Sequence, residues 1–410
     1  MAIRPEEVAP DAVFTERPPT PSTPQPDGKD RSTWNGWPSR NTVQPRVLID
    51  DQERITRIRT PVMDLEGQMT PTHLFYVVQH FAVPEPIRAE DWQMTIDGEV
   101  TQPITMTYDD VRRLPARTVR TVMECSGSDA NFFEYFQGEG PRPSRAEEGM
   151  ILSAGEFTGV PLATVLAQAG LTHKAAHVRV EGWDRGVPAT ATPGTLPFYY
   201  DKGLPIEKAL HPDTILAWAQ NGEVLEHLHG APMRLLVPGW SGNWSVKWVQ
   251  RIEVTAEPPD CWYHWQFYYY GTGPDDPHKE LITTIGVRSL VTFPRDDATT
   301  LPPGPHVLRG RAWSGAGAIT QVEVSLDGGQ TWRAAHLEPP RERWLWVRWS
   351  LVWDAPPGQY RIMSRATDEV GRVEPQTPRY NFMRKNFSAI VGCDVTVQPW
   401  TRGSCTVVPS

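Results

Sequence analysis

The chain has 410 residues, of which 22% are charged and 39% hydrophobic, with a formal net charge of −9. That length favours two folded units over one. An acidic balance with no Lys/Arg-rich run argues against a nucleic-acid partner, and no run of 18 apolar residues is present to span a membrane.

Residues 1–70 are rich in Pro, Thr, Asp and Arg; Pro18-Pro19-Thr20-Pro21 and Pro24-Gln25-Pro26 suit neither a helix nor a central strand, so this stretch reads as an extended N-terminal arm. Order is expected to begin at residues 74–78, which have a strand pattern. Residues 92–96 read as a strand closed by an Asp97-Gly98 turn, and 108–114 as a short helix. Residues 119–123 form a strand that runs into Cys125-Ser126-Gly127. A helix is predicted over 161–169, stopped by Gly170, and strands over 176–181 and 233–238. Regular β-α-β units are few, so residues 71–258 read as an irregular α+β domain. An aromatic connector, 259–279, follows the Pro258-Pro259 break. Residues 280–410 then alternate at period two with Asp327-Gly328-Gly329 and Pro356-Pro357-Gly358 turns, the pattern of an immunoglobulin-like β-sandwich.

The 17 Trp and 41 Pro suit a loop- and strand-rich protein with aromatic-walled sites. Cys125, Cys261, Cys393 and Cys405 form no Cys-x-x-Cys pair, which argues against structural zinc, and no haem-attachment motif occurs. Cys393 and Cys405 have a disulfide as one option, although separate thiols are commoner in a non-secreted chain. Without a signal-peptide core or twin-arginine pair, the chain reads as cytoplasmic as written, or periplasmic if an export signal has been removed.

Chemistry concentrates at strand ends. Cys125 closes an apolar strand beside a glycine, where a thiol can touch a ligand. Gln79-His80, Glu181-Gly182-Trp183-Asp184, His229-Gly230-Ala231-Pro232-Met233-Arg234 and Ser245-Val246-Lys247-Trp248 likewise set His, Arg, Lys and Ser beside turns, which suits a phosphate and a polar heterocycle. Singly, each has an ordinary structural role as a capped loop residue or solvated charge.

In order and spacing these segments resemble the sulfite oxidase family of molybdopterin enzymes over most of residues 74–400. Cys125-Ser126-Gly127 is similar to its Cys-Ala/Ser-Gly segment, and Tyr76-Val77-Val78-Gln79-His80 to Phe-Val-Arg-Asn-His. Leu236-Val237-Pro238-Gly239 resembles Val-Val-Pro-Gly, and Val322-Glu323-Val324-Ser325-Leu326-Asp327-Gly328-Gly329 the dimerisation domain. The resemblance implies a sulfite-oxidase-type α+β cofactor domain followed by a dimerisation β-sandwich. It implies molybdenum held by Cys125 and molybdopterin held by Tyr76, Val77, Val78, Gln79, His80, Asp184, His229, Arg234, Ser245, Val246 and Lys247. Tyr270 would stand beside the metal. A small sulfur-containing substrate, an external electron acceptor such as a cytochrome, and a homodimer are implied partners.

Three departures from the family pattern concern charge. Val78 and Ala130 stand where the family has arginine, and no basic residue is present near Gly317-Ala318. At roughly 1.5–3 kcal/mol per charge-assisted hydrogen bond, their loss costs about 5–9 kcal/mol of anion binding if nothing compensates. Arg142, Arg145, Arg185 and Lys202 are candidate replacements. A larger or less charged sulfur substrate than sulfite, including the protein-borne sulfur of sulfane dehydrogenases, suits such a pocket. A reductase of the same family, acting on nitrate or a sulfoxide, and a non-catalytic scaffold are the alternatives.

Overall fold

The computed structural model describes residues 46–49, 55–295 and 299–399. They fall into two compact units, one drawn from Met1–Ala130, Gly149–Ile285 and Tyr380–Phe387, the other from Asn131–Glu148, Gly286–Arg379 and Ser388–Ser410.

The first unit holds three main sheets. β1 (Arg46–Ile49), β2 (Ile55–Arg59) and β3 (Val77–Val78) form a small antiparallel one. A second contains β6 (Arg117–Glu124), β7 (Leu152–Pro161), β10 (Ile215–Gln220), β11 (Glu223–Val224) and β12 (Arg234–Leu236), in the order β11-β10-β7-β6 with β12 on β10. In the third, β4 (Gln93–Gly98), β5 (Ile104–Thr107), β8 (His177–Gly186), β9 (Phe198–Pro205) and β13 (Val249–Thr255) lie in the order β5-β4-β13-β8-β9. Trp92, Trp218, Trp244, Met94, Ile252 and Leu235 share its core, and Trp92 donates its indole N–H to Val249 O at 2.9 Å, so this bulky ring leaves no orphan donor.

Local signals explain the short helices. α1 (Tyr108–Arg112) opens with a capping box, in which Thr107 accepts from the Asp110 N–H and Asp110 from the Thr107 N–H. α3 (Leu162–Ala169) ends at Gly170, whose φ of 68° is the left-handed stop expected of glycine. The aromatic connector contains α5 (Trp262–Phe267) and β14 (Tyr269–Tyr270), which pairs with β15 (Glu280–Leu281).

The expected strand over 74–78 is mostly absent. Pro71 starts a 3-10 turn over Thr72–Leu74, and the Tyr76 N–H goes to Ser153 Oγ at 3.0 Å, leaving only Val77 and Val78 for the ladder.

The second unit is a β-sandwich. One sheet runs β16 (Arg288–Phe293), β18 (Gly304–Trp313), β22 (Val347–Ala355), β21 (His336–Glu338). The other comprises β17 (Thr299–Leu301), β24 (Cys393–Val397), β23 (Gly358–Asp368), β19 (Ile319–Ser325) and β20 (Arg333–Ala334). Leu308, Trp349, Val322, Ile362 and Val395 from the two sheets share one core. Cys393 is buried with its sulfur 3.8 Å from Pro294 O; Cys405 lies outside the described residues.

Candidate cofactor and active site

The end of β6 turns sharply. The Cys125 N–H donates to Ile151 O at 3.0 Å and its carbonyl accepts the Ser128 N–H at 2.8 Å, so the strand stops and the thiol is left at a loop mouth. The Gly127 N–H points at Cys125 Sγ, 3.5 Å away. Burial pushes the thiol pKa up, while that N–H, Lys385 and Arg57 oppose it; a thiolate here therefore needs a further positive partner. The loop is pinned from below. Ser126 Oγ donates to Asn243 Oδ1 at 2.9 Å and meets Ser241 Oγ at 2.5 Å, tying the cysteine loop to the 3-10 turn Gly242–Trp244.

Above this loop opens a cavity of about 600 Å³, part of it open to solvent. Of the residues expected to form the site, Tyr76, Val77, Val78, Gln79, His80, Cys125, Asp184, His229, Arg234, Ser245 and Lys247 all line it. Two do not. Val246 is 1% exposed and packs into the core, its backbone bonded to Leu235. Tyr270 is not among the lining residues; its hydroxyl accepts from Asn386 Nδ2 at 2.6 Å. A neighbour in the same aromatic run, Tyr268, also does not line the cavity but stands behind lining His80, with its hydroxyl 2.5 Å from His80 Nε2.

Arg234 lies at one side of the cavity and donates to His229 O at 2.8 Å and Ser245 O at 3.2 Å, with its Nε unbonded. Lys247 donates to Leu228 O at 3.2 Å and sits 4.1 Å from the Trp248 ring centre. Burial lowers the Lys247 pKa and raises that of Asp184, each resisting the other's shift as an opposite charge. Gly230, at φ 110°, lets the backbone pass close to Lys247, since a Cβ there would meet the lysine's Cβ at 2.9 Å. A Cβ at Gly242 would lie 2.1 Å from the Tyr76 hydroxyl, so only glycine keeps that corner of the cavity open.

Two cations at the thiol come from parts of the chain where sequence patterns gave no reason to look. Arg57 on β2 is register-paired with Val78 on β3, so a guanidinium arrives from the strand beside the position that lacks one. Lys385 comes from the segment Tyr380–Phe387. A Cβ on Gly127 would lie 3.7 Å from Lys385 Nζ and 3.9 Å from Cys125 Sγ, which places both groups within 4 Å of one point. The loop is fastened tightly. Asn381 accepts the Lys385 N–H at 2.8 Å, Asn386 donates its N–H to Ser126 O at 2.7 Å, and Arg384 and Asn386 take φ values of 51° and 57°. The Asn-flanked Arg384-Lys385 pair was the available signal, because asparagine tolerates such turns.

The replacements expected from sequence lie elsewhere. Arg142 pairs with Asp394 at 2.9 Å, and Arg145 with Glu148 at 3.3 Å and with Val291 O, all in the second unit. Arg185 is exposed and bonded to Pro197 O. Lys202 is buried, adjacent to Tyr200 in the cavity wall.

The lining suits a polar, anionic, metal-bearing heterocycle. Asp184 Oδ1, Arg234 Nε and Asn243 Nδ2 are buried with no partner among the described residues, which is costly unless a ligand completes them. Among the described residues no group of three or more His, Cys, Asp or Glu could hold a metal, so a metal at Cys125 would need ligands brought by its own cofactor.

Residues 80–263 match the oxidoreductase molybdopterin binding domain and residues 279–389 the Mo-co oxidoreductase dimerisation domain. The chain is 30% identical to sulfite oxidase of Gallus gallus, over 86% of this chain and 77% of that one, and 31% identical to mitochondrial sulfite oxidase of Homo sapiens, over 81% and 62%. It therefore spans about three fifths of the human enzyme's length. A nitrate reductase [NADH] 2 of Phaseolus vulgaris is 31% identical over 87% of this chain and 42% of that one. In structure it is similar to the sulfane dehydrogenase SoxCD of Paracoccus pantotrophus, with a TM-score of 0.74 and 26% identity over 96% of this chain and 98% of that one. The chain belongs to the sulfite oxidase family of molybdenum-cofactor oxidoreductases.

Proposed function

We propose that the chain oxidises a small anionic sulfur compound, by oxygen-atom transfer, and passes the two electrons to an external acceptor such as a cytochrome. When bound, the molybdenum centre supplies the oxygen-atom transfer and takes up the electron pair. The observation that carries this reading is that Cys125, which feels the charges of Lys385 and Arg57, lines the same cavity as Arg234, Lys247 and Asp184.

The chain's own residues divide the work. Cys125 gives a soft thiolate ligand, which binding of the metal would favour over the thiol. Arg234 and Lys247 offset the charge of a phosphate, and Asp184 accepts from amino groups of a pterin. Tyr76, Gln79, His80, His229 and Ser245 orient the ring system. Lys385 and Arg57 attract an anion to the metal side while Val78 leaves room that an arginine would fill. This favours a sulfur anion with a body larger than sulfite, in keeping with the similarity to sulfane dehydrogenase. The dimerisation domain supports a homodimer.

The test is elemental and pterin analysis of purified protein alongside steady-state turnover with sulfite and with a thiol-borne sulfane. Wild type should carry molybdenum and Cys125→Ser should lose it. Sulfite turnover equal to or above sulfane turnover would refute the preference for the larger substrate, and a metal-free wild type would refute the whole reading.

A further inference from the structure

Lys202 is the buried charge with the least obvious reason to exist. It lies on β9 and is 0% exposed. Among the described residues its Nζ has no hydrogen-bond partner. Its neighbour Asp201 is committed to Arg179 at 2.7 Å. Three rings surround the ammonium instead, with centres at 4.3 Å (Tyr268), 5.0 Å (Trp244) and 5.8 Å (Tyr200). Burying a lysine this way costs stability, so a purely structural role is better served by methionine.

The nearest of those rings belongs to Tyr268, whose hydroxyl is 2.5 Å from Nε2 of cavity-lining His80. Burial holds that tyrosine as the neutral phenol, and burial together with Lys202 and other lysines holds His80 neutral, its pKa near 3. A neutral phenol and a neutral imidazole can bond in two ways: O–H to Nε2, or Nε2–H to O. A cation above the phenol ring draws electron density from the oxygen, making O–H the better donor and O the poorer acceptor.

We propose that Lys202 is a positioning residue that fixes the tautomer of His80: through Tyr268 it makes Nε2 the acceptor and leaves Nδ1–H as the ring's only donor. The stacked Tyr200, 4.8 Å from the His80 ring at 19°, holds the ring plane while this choice is made. His80 thereby presents a donor to acceptor atoms of a bound pterin or its metal ligands, a use that rests on the cofactor reading above.

The tautomer itself is measurable without the cofactor. Full-length protein carrying ring-¹⁵N histidine would be examined at pH 6 by long-range ¹H–¹⁵N correlation, with His80 assigned by its loss in His80→Gln. That pH lies below the value of about 7 to which burial lowers Lys202. Asp201, Cys261 and His264 are the other titratable groups near Lys202, and Lys247, Lys385 and Arg57 act on His80 as Lys202 does. Wild type should show Nδ1 protonated and Nε2 bare. In Lys202→Met the ratio should move toward Nε2–H by about tenfold, the scale of one partly screened charge at this range, with Tm unchanged or raised. Lys202→Arg should keep the wild-type ratio, and Tyr268→Phe should abolish the preference even if Lys202→Met does not fold. An unchanged ratio in Lys202→Met or in Tyr268→Phe, or Nε2–H in wild type, overturns the proposal. A wild type lacking molybdenum yet showing the tautomer shift sinks the cofactor reading instead.

Discussion

Replacing Lys385 with Met tests the charge argument most directly. Its ammonium lies within 4 Å of the same point as the Cys125 sulfur, and Arg57 is the other cation that acts on that thiol among the described residues. The 3.7 Å and 3.9 Å to that shared point keep the ammonium within about 7.6 Å of the sulfur, and a unit charge at that range with an effective dielectric near 20 is worth about 2.2 kcal/mol or more, about fiftyfold in binding of a monoanion. Screening through the open mouth of the cavity reduces this toward tenfold. The assay is KM for the sulfur anion together with the inhibition constant of sulfate, which reports anion binding without chemistry. Both should rise ten- to fiftyfold in Lys385→Met, fall back in Lys385→Arg, and become less salt-dependent in the Met variant. Because burial lowers the Lys385 pKa, sulfate inhibition should weaken with rising pH before an ordinary lysine would discharge. Inhibition constants within twofold of wild type would refute the placement of the anion beside Cys125.

Other outcomes follow from single contacts. Gly242→Ala puts a methyl 2.1 Å from the Tyr76 hydroxyl, so cofactor content should fall severely while stability drops by about 1–3 kcal/mol; normal molybdenum content by elemental analysis would contradict this. Arg234→Met strands the carbonyls of His229 and Ser245, and should cost about 2–4 kcal/mol in chemical denaturation, with molybdenum content falling as well if the proposed phosphate role of Arg234 holds. His80 has a folded pKa near 3 against 6.5 unfolded, so folding excludes its proton: the stability it contributes is complete above pH 6.5 and is lost as pH falls toward 3. The slope of stability against pH in that window should be about 1.4 kcal/mol per unit smaller in His80→Gln, and an identical slope in both proteins would contradict burial of the neutral ring.

Much of the cavity was legible before any coordinates, because its residues sit at strand ends with glycines beside them. Asp184, between Gly182 and Gly186, and His229, before Gly230, carry that local mark; Arg234, Ser245 and Lys247 were legible only through the resemblance of their segments to family motifs. What was not legible depends on pairing between distant segments. Arg57 matters only because β2 registers against β3, and β3 itself is two residues long since the Tyr76 N–H is taken by Ser153. Tyr268 and Tyr270 are near neighbours in one aromatic run, and composition cannot say which hydroxyl meets His80. That depends on where α5 ends, at Phe267 with Tyr268 as its cap, and where β14 begins, at Tyr269. Val246 shows the opposite error: it lies between two lining residues, but its side chain alternates inward to the core.

The loop bearing Lys385 lies, in sequence, inside the stretch that builds the sandwich, with β23 before it and β24 after it. The chain thus leaves one folded unit, lends a short hook to the other, and returns. Gene fusions or recombination events that exchange the C-terminal third as a block would exchange this hook too, and with it Lys385, without altering Cys125 or the cavity-lining residues before it. A fragment ending at residue 285 would keep the thiol and lose its ammonium neighbour.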